Sequence, residues 1–156
     1  MAGAVVAVVV VLLIDSWSEG RLDRMDAAEQ QKVVAAYDGM IASAEALNID
    51  ELFRQVLDND EGALAVNGQL LLTRAAALER TRANFSGIAK LKYHVTERHV
   101  TMLATGAAVL VATGTTEAEL ADGRSFSSAF VHTVVFVERD GVWRVIHSHQ
   151  STPAPR

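Results

Sequence analysis

The sequence predicts an α+β domain, three helices followed by a bent antiparallel sheet, and three observations predict it. Apolar residues recur at spacings of three and four from Asp26 to Leu47, the mark of an amphipathic helix. Asp122-Gly123 and Asp140-Gly141 punctuate the C-terminal third as two-residue hairpin turns, which makes the last three strands a meander. Upstream of them Leu91, Tyr93 and Val95 are apolar in odd phase, Val100 and Met102 in even phase, so a bulge or kink near Glu97 to His99 should bend the sheet.

The elements follow in order. Asp26 with Glu29 three residues later signals a helix start, and Val33, Tyr37, Met40, Ile41, Ala44 and Leu47 form its apolar stripe. Asn48 with Glu51 repeats the signal for a second, shorter helix carrying Ile49, Leu52, Phe53 and Val56, which stops at the acidic run from Asp58 to Gly62, read as a solvated turn. Ala63 to Val66 and Gln69 to Leu72 flank Asn67-Gly68, a hairpin dipeptide. Thr73 opens a third helix with Ala75, Leu78 and Phe85 on one side, and Ser86-Gly87 ends it. Strands over residues 107–120, 124–139 and 142–151 complete the domain. The division is therefore an apolar leader over 1–23, a folded unit over 24–151, and a frayed tail over 152–156.

With 156 residues, half of them hydrophobic, the chain can bury one sizeable core. A net charge of −5 without a Lys/Arg cluster argues against nucleic acid as a partner, because phosphate binding needs a concentrated basic face. The absence of cysteine excludes disulfides, thiolate nucleophiles and Cys-ligated metal centres. Phosphate-loop, dinucleotide and Ser-His-Asp patterns are absent as well, and no cofactor is expected.

Ala4 to Ile14 is an unbroken run of eleven apolar residues. A spanning helix needs roughly 20 such residues and a signal-peptide core only about 7 to 15, so the expectation is export, to the periplasm or outside the cell, and no integral membrane partner. No Lys or Arg precedes the run and no clear small-x-small cleavage site follows it. A misplaced start codon, a non-cleaved segment, or an apolar element packed on a cytoplasmic domain are the competing readings.

If both Asp-Gly turns are two-residue loops, the register follows. Arg139 meets Val142, so His132 lies opposite His149 and Val134 opposite His147, while Ala121 meets Arg124 and Thr113 meets His132. One face then carries Val109, Val111, Thr113, Thr115, Phe130, His132, Val134, Phe136, Trp143, Val145, His147 and His149; the other carries Leu110, Ala112, Val131, Val135 and Ile146. Both faces are apolar, which predicts helices over one and a second copy of the chain over the other. Three histidines on one face could form a metal triad, His132, His147 and His149, since imidazoles at i and i+2 of a strand point the same way. Ordinary hydrogen-bonded histidines are the simpler reading, and no bound metal is expected. His132, His147 and Tyr37 are the candidate proton-moving groups, because a histidine in an apolar cavity can titrate near neutrality. Phe53, Phe85, Tyr93, Thr113, Phe130, Phe136 and His149 are the candidate ligand contacts. Asp38, about 100° round the helix from Tyr37, should face solvent, and Glu117 and Glu119 a solvated rim.

The order of elements, with the terminal run Asp140-Gly141-Val142-Trp143-Arg144-Val145-Ile146-His147-Ser148-His149-Gln150-Ser151, resembles SnoaL-like proteins of the nuclear-transport-factor-2-like superfamily. That run is also similar to the association domain of calcium/calmodulin-dependent kinase. The resemblance covers roughly residues 24–151. It implies a cone-shaped, cystatin-like α+β barrel with three helices over its concave face, a pocket at the open end, and dimers made through the sheet. The superfamily includes isomerases, cyclases, dehydratases and non-catalytic modules, so fold alone names no activity. Tyr37 could match the isomerases' tyrosine, but Thr113, Thr115 and Val134 stand where acidic groups would be expected. Val134 also stands where the kinase domain presents an arginine.

The expected function is a pocket protein for a small apolar or aromatic molecule. The alternatives are a cofactor-independent isomerase, dehydratase or cyclase using a pocket histidine, and a non-catalytic dimerisation module.

Overall fold

The computed structural model describes residues 26–58, 63–66 and 68–152. The apolar leader, the acidic turn at 59–62, Asn67 and residues 153–156 of the tail lie outside the described residues. Among the described residues no helix is long and apolar enough to cross a membrane.

Helix α1 runs through 26–45 and buries Val33, Tyr37, Met40 and Ala44, the stripe its spacing predicts. It ends in a left-handed residue, Leu47 at φ 54°. The Leu47 N–H donates to the Ala44 carbonyl at 2.9 Å and the Asn48 N–H to the Ser43 carbonyl at 3.0 Å. That conformation costs a leucine about 1–2 kcal/mol. Packing of Leu47 against Ala44, Leu91 and Ala118 offsets the cost. Asn48 then caps helix α2 (Ile49–Arg54), its side-chain oxygen accepting from the Glu51 N–H at 3.1 Å. Thr73 caps α3 (Arg74–Phe85) in the same way, accepting from Ala76 N–H at 3.2 Å. The inward side of α3 is Ala77 with half-buried Leu78, Thr81 and Phe85. The expected Ala75 is exposed, because it lies round the helix from that stripe.

Six strands, β1 (Ala63–Val66), β2 (Gln69–Leu71), β3 (Ile88–Ala104), β4 (Ala107–Leu120), β5 (Ser125–Arg139) and β6 (Val142–Ser151), form one curved, unclosed sheet. Their order is β2-β1-β6-β5-β4-β3. Every pairing is antiparallel except β1 with β6, which is parallel and leaves the short β1–β2 hairpin at one edge. The expected bend in β3 is a bulge between Val95 and Glu97, beginning one residue before the predicted stretch.

The register differs from expectation at two points, each by one residue. Arg139 meets Val142 as predicted. The loop after β4 is not the two-residue turn: the Leu120 N–H donates to the Arg124 carbonyl at 2.7 Å, so Ala121, Asp122 and Gly123 form a three-residue loop with Gly123 at φ 87°. His132 therefore meets Ala112, Thr113 meets Val131, and Ala121 has no strand partner. A second shift lies in β6, where Phe136 meets Val145 but Val135 meets His147, leaving Ile146 as an extra residue. Val134 consequently faces Ser148 rather than His147, and His132 faces Gln150 rather than His149.

These two shifts decide the faces. Ala108, Leu110 and Ala112 of β4, Val134 and Phe136 of β5, and Trp143 and Val145 of β6 pack against Val33, Tyr37 and Met40 of α1 to make the core. Leu110 and Ala112, expected on the other face, are thus core residues. Val109, Val111, Thr113 and Thr115, expected with the histidine, lie on the outer face, and after Ile146 so do His147 and His149.

Candidate functional site

One cavity of about 150 Å³ lies between the three helices and the inner face of the sheet. Its walls are apolar: Met40, Ile41 and Ala44 from α1, Leu52 and Phe53 from α2, Phe85 from α3, and Val145 from β6. The buried end carries His132 and Ser148. Gln150 follows on the same face of β6, and Arg80, Thr81 and Asn84 reach the site from α3. Arg80 is the one formally charged group among the described lining residues.

Each polar side chain at the buried end is placed by the strand accounting above. His132 points inward because β5 alternates Phe130, His132, Val134 and Phe136 on its core side, and it is 8% exposed. Ser148, 7% exposed, points inward only because Ile146 is extra. The two meet at 2.7 Å, His132 Nε2 to Ser148 Oγ. On the other side of the ring Tyr37 Oη lies 3.3 Å from His132 Nδ1, with the two rings 5.6 Å apart and tilted at 54°. Tyr37 is fully buried. The result is a chain of three buried polar groups, phenol, imidazole and hydroxyl, running from the core to the cavity.

Burial sets the protonation states. It pushes the His132 pKa down to about 4, with the charge of His149 contributing secondarily, so the ring is neutral near pH 7. Burial also pushes the Tyr37 phenol far above its ordinary value, keeping it protonated. Tyr93 is raised for the same reason and stacks edge-on against Phe130 at 5.5 Å.

Of the residues expected from the sequence, His132, Phe53, Phe85 and Tyr93 line the cavity. Tyr37 reaches it only through His132. Phe130 stands behind Tyr93, and Phe136 belongs to the core under α1. Thr113, His147 and His149 are on the outer face, so the triad of His132, His147 and His149 does not assemble. Among the described residues no group of three or more His, Asp or Glu is placed to hold a metal. Asp38 pairs with Arg98 at 2.7 Å at the surface, while Glu119 pairs with Lys90 at 2.7 Å and Glu117 lies 3.5 Å from His94. Sequence reasoning passes over Ser148 and Gln150, which lie on the wrong side of β6 unless the bulge is known. The one signal is that the apolar alternation Trp143, Val145 stops there.

A model of the SnoaL-like domain family matches residues 33–155. No curated protein matches the chain. Among solved structures, a nuclear transport factor 2-like superfamily protein from Salmonella enterica superposes with a TM-score of 0.73 at 15% identity, over 83% of this chain and 94% of that one. A type 2 hexachlorocyclohexane dehydrochlorinase, LinA, gives 0.69 at 16% identity, over 86% and 90%. A protein from Xanthomonas campestris, provisionally described as a calcium/calmodulin dependent protein kinase II association domain, gives 0.67 at 22%, over 78% and 85%. At these identities the likeness is one of fold.

Proposed function

The chain belongs to the SnoaL-like domain family, and from that premise we propose that it binds a small, largely apolar molecule in the cavity beside His132 and Ser148. What supports this reading is the pair of buried, uncharged polar groups at the inner end of a space whose walls are largely apolar, the usual plan of a small-molecule site. The size fits one ring: a cavity of about 150 Å³ is enough for benzene. Phenol should therefore raise the melting temperature in a concentration-dependent way, and Val56→Phe, which fills the wall from a half-buried position, should abolish the effect. If no monocyclic aromatic shifts the melting temperature of the parent protein, the reading fails.

Catalysis by His132 stands second. An unprotonated imidazole in an apolar cavity is the equipment for an elimination, and LinA is by its name a dehydrochlorinase. A ring whose pKa is held near 4 draws protons weakly at neutral pH, however, which favours binding over proton abstraction.

The outer face supports a second proposal, that the protein is a homodimer. Val111 and Val131 are exposed there beside half-buried Val109, Thr113, Thr133 and Val135, a largely apolar surface that none of the described helices covers. The protein should elute at twice its chain mass in size-exclusion chromatography with light scattering, and Val111→Lys with Val131→Lys should halve that mass without unfolding the chain. A parent that runs as a monomer at every concentration rejects the dimer.

A further inference from the structure

Resting on the pocket reading above, we infer that Tyr37, His132 and Ser148 form a hydrogen-bond chain of fixed direction that offers the Ser148 hydroxyl proton to the cavity, so that the ligand is a neutral carbonyl compound.

The direction follows from donor and acceptor accounting. Tyr37 Oη is fully buried, and among the described residues its one hydrogen-bond partner is His132 Nδ1. If Nδ1 carried the ring proton, it would donate to the phenol oxygen and leave the phenol proton without an acceptor. A buried unpaired donor costs about 1–3 kcal/mol. The phenol therefore donates, and Nδ1 accepts. A neutral imidazole has one N–H, so that proton is on Nε2 and is donated to Ser148 Oγ at 2.7 Å. Ser148 Oγ has thus filled one acceptor position, and its own proton has no acceptor among the described residues. Ser148 lines the cavity, so that proton is available there.

Three consequences define the ligand. It must bring an acceptor, because the chain brings a donor. It is uncharged at that end, because the buried end of the cavity holds no formal charge and burying an unpaired anion there would be costly. Its body is apolar and of one-ring size. A cyclic or aromatic ketone or aldehyde satisfies all three. The same accounting withdraws His132 from general-base work: the Nδ1 lone pair is engaged by Tyr37, and Nε2 carries a proton.

Acetophenone and α-methylstyrene share a shape and differ in whether an oxygen or a methylene sits on the carbon. Calorimetric titration of the intact protein should show acetophenone binding about three- to tenfold more tightly. Its carbonyl stretch should move to lower frequency when bound. Ser148→Ala should erase both the preference, read as the ratio of the two affinities in the variant, and the shift. Long-range proton–nitrogen NMR should show the Nε2-protonated tautomer of His132, and Tyr37→Phe should release it to a mixture. Equal affinities for the two probes, or a carbonyl band that does not depend on Ser148, would overturn the inference and leave the pocket standing. Failure of both probes to bind would overturn the two together.

Discussion

Gly114→Ala should destabilise the protein by about 3 kcal/mol or more, the scale of a core overpacked against backbone that cannot yield. Gly114 faces Val95, the last paired residue before the β3 bulge at Thr96, and there the β3 backbone passes directly over β4. An added Cβ would overlap the His94 carbonyl oxygen and lie 2.9 Å from its carbonyl carbon and 3.0 Å from the Val95 Cα. None of these is the movable end of a side chain. Relief would require β3 and β4 to part at the bend, and the ladder they share is the longest in the sheet. Gly114 has no need of a left-handed backbone; the requirement is space. Thermal unfolding should show a drop of roughly 10 °C for this variant, and a melting point equal to the parent's would show that the strands do not approach so closely. Gly87→Ala, with nothing within 4 Å of the added atom, is the control.

Acid should unfold the protein in a way that His132 dominates near pH 6. Its folded pKa, about 4, lies below the ordinary 6.5, so the folded state resists a proton that the unfolded chain accepts. The sign is then fixed: stability is flat above pH 6.5 and falls as the pH drops from there toward 4. Over the upper part of that window, from pH 6.5 to 5, the loss is about 2 kcal/mol at 1.36 kcal/mol per unit. Glu45, held below its ordinary value despite partial burial by Lys92 and the Tyr93 N–H, adds its own loss as the pH falls through its folded pKa. Urea titrations of the parent and His132→Gln at intervals from pH 7 to 5 separate the two, since Gln has no proton to take up. The variant should start less stable and lose little across that range. Parallel slopes for the two proteins would mean that His132 is not buried as described.

The helices were legible in the sequence because their signals are local. Asn48 and Thr73 are read as caps from two or three neighbouring residues, and the α1 stripe from a spacing that tertiary structure did not disturb. The sheet was legible as strands but not as faces. Asp140-Gly141 turned where expected; Asp122-Gly123 drew Ala121 into its loop, and nothing in the local sequence separates the two- from the three-residue form. A strand has a period of two, so each one-residue difference reversed the side on which a whole segment lies. Phe53, Phe85, Tyr93 and His132 were recoverable as lining residues because their burial is a matter of chemical type. Ser148 was not, because its position depends on the single unpaired Ile146.

That extra residue also means that β6 stores two alternative chemistries. As folded, its inner edge offers Ser148 and Gln150, both uncharged hydrogen-bonding groups. Its outer edge carries His147 and His149. Deleting Ile146 would leave the tip as it is, with Val135 opposite His147 and His132 opposite Gln150; drawing Ile146 into the ladder opposite Val135 would instead turn the tip of β6 over. His149 would then stand opposite His132, with His147 two residues along on the same side. Absorbing the bulge into the ladder would in this way exchange a hydroxyl site for an imidazole cluster without changing a single side chain. The parity of this strand, rather than its composition, is the quantity through which selection or design could most cheaply redirect the site.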